Sequence, residues 1–154
     1  MVVRNELGAI YLCAVMKIDK VESPLHAKLK TVAFGLEIVK ENSFPSILVE
    51  SDSLMAIQEI SKLHDSFCQW KCIISVISDL SMEYELCNFT HIRRSANMCA
   101  HNVAKLPCDL GSFFVWRNST SPLFVILIFC WNESLGFSIK NKIKLTCRLV
   151  SKGQ

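Results

Sequence analysis

Asp52 closes a short apolar run, Ser46–Glu50 (SILVE), and Glu50 stands two positions before it. Side chains at a spacing of two share one face of an extended strand, and hard anionic oxygens are what a divalent ion such as Mg²⁺ requires. A second group, Arg93, Arg94, Asn97, His101 and Lys105, gathers around a strand end and the helix after it. Such a lip can meet the phosphates of a nucleic acid, although a solvated helix face is the plainer reading of the same charges. Asp52 alone could equally cap the following helix. Cys68 and Cys72 at i, i+4, and Cys99 near His101, fall short of a zinc site because no pair of C-x-x-C knuckles accompanies them. His91 in an alternating strand reads as structural, and Trp70 at helical spacing as core.

The elements that must position these groups follow from periodicity. Val2–Arg4, a turn containing Gly8, and Ala9–Val15 read as a hairpin. Ser23 and Pro24 start a helix, cap followed by first-turn proline, and Leu25, Leu29, Val32, Ala33, Leu36 and Val39 recur at helical spacing up to Asn42. Ser46–Glu50 has the length and composition of a buried strand. Ser51, Asp52 and Ser53 offer caps for a helix to about Leu63, and Trp70, Ile73, Ile74, Ile77 and Leu80 predict another over 66–83. Leu86–Arg93 reads as a strand, and Ser95 can cap a last helix through Lys105, stopped by Pro107. This order predicts an α/β sheet covered by helices.

The 154 residues suit one domain with a real core, and a 51% apolar composition with mean hydropathy +0.31 excludes a disordered chain. Net charge +3 permits a nucleic acid partner without requiring one. No secretory leader opens the sequence, so the eight cysteines are expected as free thiols, the sequons at Asn88, Asn118 and Asn132 as chance matches, and the address as cytoplasmic or nuclear by default. The longest apolar run, Leu123–Trp131, is too short for a membrane helix, which needs about 20 residues. Residues 118–154, with Lys140, Lys142, Lys144, Arg148 and Lys152 and no acid after Glu133, are set apart as an appended apolar and basic tail.

Four segments in order, VVRNELGAI, SPLHAKLKTVAFGLEIV, ILVESDSLMAI and HIRRSANMCAHNVAK, resemble the ribonuclease H-like domain of many plant proteins, the type 1, reverse-transcriptase-associated kind. The likeness covers about residues 1–117, and its specific part is ESDS after a strand together with R-x-x-N-x-x-A-H-x-x-A-K in a helix. It implies a mixed five-stranded sheet flanked by helices. It also implies hydrolysis of the RNA strand of RNA/DNA hybrids by two Mg²⁺ ions held by about four acids, one ion activating water and the other stabilising the leaving oxygen.

Carried over position by position, the family's acid after the ESDS strand falls on Asp52, the acid of the first long helix on Lys28, and that of the last helix on His101, where plant members often carry histidine. The first acid should precede VVRN and has no counterpart. Asp52 is then the single metal ligand, and Lys28 and His101 are expected to be inactive, since an ammonium cannot ligate Mg²⁺. Lys28 reads either as a partly buried lysine or as a phosphate contact.

The family's first strand lies in the middle of its sheet, and the resemblance implies that this central strand is lacking. A split sheet would expose two edges, and Leu123–Phe129, β-prone and uncharged, either closes the gap or is an aggregation-prone graft. The leading expectation is a catalytically impaired ribonuclease H-like domain binding nucleic acid, RNA or an RNA/DNA hybrid, through Arg93, Arg94, Asn97 and Lys105, with no small-molecule cofactor. The alternatives are an active Mg²⁺-dependent RNA/DNA hybrid endoribonuclease and a non-functional gene fragment.

Overall fold

A computed structural model describes residues 1–5, 8–42, 44–62, 69–106, 109, 112–117 and 143–147, the last by backbone alone. Val2–Arg4 (β1) and Ile10–Met16 (β2) form the expected antiparallel hairpin. Asn5 closes its turn, the Oδ1 accepting from the Ala9 N–H at 2.8 Å. Gly8 sits at φ 85, a left-handed value that a side chain would disfavour.

Helix α1, Pro24–Lys40, begins as its sequence predicts, with Ser23 Oγ accepting from the His26 N–H at 3.1 Å. Its inward stripe, Leu29, Val32, Leu36 and Val39, is wholly buried. Strand β3, Ser46–Ser51, follows, then α2, Leu54–Ser61, and α3, Lys71–Ser81. The helix expected over 66–83 is thus shorter at both ends: Ser66 lies outside the described residues, and Trp70 stands just before α3 with its ring 4.6 Å from that of His26.

Strand β4, Leu86–His91, leads to a tight 3₁₀ turn, Arg94–Asn97, and then to α4, Met98–Val103. Ser95 therefore does not cap the last helix. A cap needs extended backbone, and Arg93 holds that conformation (φ −65, ψ 148), leaving Ser95 inside the turn.

Two strands were not anticipated: β5, Phe113–Arg117, and β6, Ile143–Cys147. The six strands form one sheet in the order β4-β3-β6-β1-β2-β5. β6 runs antiparallel to β1 and parallel to β3, with Leu145 opposite both Val3 and Val49. The middle of the sheet is therefore continuous, and part of the segment set apart as a tail lies within it. Leu123–Phe129 are outside the described residues; both sides of β3 are taken, by β4 and β6, so a later segment fills the place expected of them.

Both faces of the sheet are covered. Val3, Leu12, Ala14, Ile47 and Val49 pack with α1, α2 and α3, whereas Val2, Cys13 and Val15 pack with Cys99, Ala100 and Val103 of α4. The alternation of Val2 and Val3 to opposite faces is the pleat of a strand buried on both sides. The result is the mixed α/β sheet flanked by helices that the sequence predicts.

Candidate functional site

The carboxyl end of β3 holds the acids. Ser51 is fully buried, and its Oγ accepts from the Ser53 N–H at 3.2 Å, which bends the chain out of the strand. Ser53, not Asp52, caps α2: its Oγ accepts from the Ala56 N–H at 3.3 Å. The capping role considered for Asp52 therefore goes to its neighbour. That leaves the Asp52 carboxylate for another partner, and Lys28 of α1 donates to it from Nζ. Asp52 is 7% exposed in its side chain and Lys28 17%, so the pair is largely out of water.

A second pair lies on the other face of the sheet. Arg4 Nη2 donates to Glu50 Oε2 at 2.6 Å, with side chains 12% and 7% exposed. Arg4 is opposite Lys144 of β6, and Glu50 is opposite Thr146, so this ion pair passes over the β6 backbone to join the strands on either side. The role of Arg4 was missed because its partner depends on which strand lies between β1 and β3. The pair matters energetically, since removing one member of a buried ion pair leaves an uncompensated charge costing about 3–5 kcal/mol.

The basic segment sits at the same end of the sheet. Strand β4 runs parallel to β3 with His91 opposite Ser51, and the Ile92 N–H donates to the Ser51 carbonyl at 2.9 Å. Arg93 and Arg94 follow directly, and both are exposed, as is Lys105 beyond the end of α4. Asn97 departs from the expectation of a surface contact. It is fully buried, and among the described residues neither its Nδ2 nor its Oδ1 has a hydrogen-bond partner. His101 is half-buried in α4.

The metal chemistry implied by the resemblance does not fit these residues. Among the described residues no three His, Cys, Asp or Glu side chains converge to hold an ion. The position of the family's helix acid is taken by Lys28, whose ammonium already engages Asp52. The described cysteines offer no zinc cluster either: Cys72 is exposed on α3, Cys13 and Cys99 are buried, and Cys87 lies between. Burial, followed by the neighbouring Cys99, pushes the Cys13 thiol up to about 12, so it stays protonated at neutral pH and is no nucleophile.

A mixed sheet covered by helices on both faces, with an acid just past the carboxyl end of the parallel strand β3, is compatible with a ribonuclease H-like fold. A family model described as reverse transcriptase-like matches residues 1–106, and the chain belongs to this ribonuclease H-like family. Among curated proteins and solved structures, none matches the chain at a significant level. The family match ends before β5 and β6, so the strand in the middle of the sheet comes from outside the matched residues.

Proposed function

We propose that the chain is a ribonuclease H-like domain of the type 1, plant kind that binds a nucleic acid backbone, RNA or an RNA/DNA hybrid, without hydrolysing it. What supports this reading above all is the juxtaposition at the end of β3. Arg93 and Arg94 stand exposed one and two residues beyond the Ile92–Ser51 hydrogen bond, while the adjacent carboxylate is occupied by Lys28. Guanidinium groups suit phosphate because their planar fork donates two parallel hydrogen bonds. Lys105 adds a point charge beyond α4. Hydrolysis by the family's route needs metal-bound water beside a cluster of open carboxylates. Asp52 in contact with an ammonium does not provide that cluster.

The experiment uses the purified chain and a labelled RNA/DNA hybrid at several salt concentrations, with and without Mg²⁺. Binding should weaken with salt, and no cleavage should appear. Arg93→Ala with Arg94→Ala should lower affinity and flatten the salt dependence by about one unit of slope for each phosphate no longer neutralised. Mg²⁺-dependent cleavage abolished by Asp52→Asn would establish the active endoribonuclease instead, and salt-insensitive or absent binding would remove the nucleic acid partner.

A further inference from the structure

We propose that the two carboxylates at the carboxyl end of β3 are neutralised by cations of the chain itself, Lys28 and Arg4, in place of divalent metal ions, and that this end of the sheet is thereby closed to Mg²⁺ and Mn²⁺. A divalent ion needs carboxylate oxygens open to it on one side. Here Arg4 engages Glu50 at 2.6 Å from one face of the sheet, and Lys28 engages Asp52 from α1. Both acidic side chains are 7% exposed. Two negative and two positive side chains balance without any ion.

Bringing a doubly charged ion to Asp52 would set it against the Lys28 ammonium in a largely water-free setting, where like charges repel far more strongly than in bulk solution. The strand beside the acids does not alter this balance. β6 places Thr146 opposite Glu50 and Cys147 opposite Ser51, and no acid occurs anywhere in Ile143–Cys147. A tethered ammonium is also present at every metal concentration, so Asp52 is compensated whether or not Mg²⁺ is available. The inference does not depend on the nucleic acid reading, because it concerns ion uptake by the free chain.

The test is a Mn²⁺ titration of the full chain, read by loss of the free-ion paramagnetic resonance signal, with thermal melting in parallel. The unaltered chain should take up no Mn²⁺ and melt at the same temperature with and without it. Lys28→Glu removes the ammonium and supplies a carboxylate, so this variant should bind Mn²⁺ and melt higher in its presence. Adding Asp52→Asn should abolish both effects. Lys28→Gln, which adds no negative charge, keeps the test open if Lys28→Glu does not fold; it should show Mn²⁺ uptake that the unaltered chain lacks once the like charge is gone. Mn²⁺ uptake by the unaltered chain that Asp52→Asn removes would overturn the proposal. So would a folded Lys28→Glu, or a folded Lys28→Gln, as blind to Mn²⁺ as its parent.

Discussion

Replacing Leu145 by proline probes how far the sheet depends on its C-terminal strand. Leu145 is opposite Val3 on one side and Val49 on the other, and both valines are fully buried. β6 thus has hydrogen-bonded neighbours on both sides, where proline is not tolerated as it is at an edge. The substitution removes a ladder donor and strands its acceptor in the interior, at about 1–3 kcal/mol. The ring adds a steric cost against the neighbouring strand. A total of about 3 kcal/mol would consume much of a domain margin of about 5–15 kcal/mol. For a chain of this size it lowers the melting temperature by roughly 6–12 °C. Thermal denaturation followed by circular dichroism gives the shift, and hydrogen exchange at the Val3 and Val49 amides shows whether the loss is located at β1 and β3. An unchanged melting temperature with unchanged exchange at both valines would refute the placement of β6.

Two further outcomes follow from burial. Asn97→Leu removes an amide with neither donor nor acceptor satisfied among the described residues, so the melting temperature should rise in line with about 1 kcal/mol, and affinity for the RNA/DNA hybrid should not change; a tenfold loss of affinity would mean that the amide reaches the ligand. The Cys13 thiol is raised from 9.0 to about 12 by burial and then Cys99, Tyr84 from 10.0 to about 12 by burial and then Cys87 and Glu83, and Cys87 from 9.0 to about 11 by burial. Each group is held protonated by folding, so its contribution is complete below its unfolded value and is lost as pH rises towards the folded one. Melting temperatures should therefore hold from neutral pH to about 9 and fall between about 9 and 12; a flat profile across that window would show that these groups are not buried.

The parts of the fold that could be read from the sequence were those set by local chemistry. Ser23 and Pro24 start α1 by a cap and a preset φ, and the leucine and valine stripe that follows names the buried face. The apolar run after Phe44-Pro45 has the length and composition of a buried strand, and it forms β3. The position of Lys28 was also readable, because the match placed it on α1 where the family carries an acid, and the structure brings it to Asp52. What escaped was non-local. In β6, Ile143-Lys144-Leu145-Thr146-Cys147 alternates apolar and polar residues, a period-two signal obscured by the lysines before it and the short length. Without β6 the partner of Arg4 could not be inferred, since the Arg4–Glu50 pair exists only because the two strands flank a common neighbour. Asn97 departs from its expectation for a related reason: a polar residue in a basic segment looks exposed, whereas the 3₁₀ turn that ends on it, just before α4, leaves it buried.

The position of β6 also orders events in time. Val2 pairs with Thr146, far along the sequence, so the middle of the sheet closes only once β6 has left the ribosome. Until then β1 and β3 present open edges, and the nascent chain is a template for pairing with other chains. Contacts of such sequence separation also slow folding, because the closing segment must be found across a long loop. A chain released before β6 is made would keep the Lys28–Asp52 pair and the whole matched family segment, yet leave β1 and β3 with open edges. Synthesis through β6 is therefore what closes the sheet, a requirement set by topology and independent of what the domain binds.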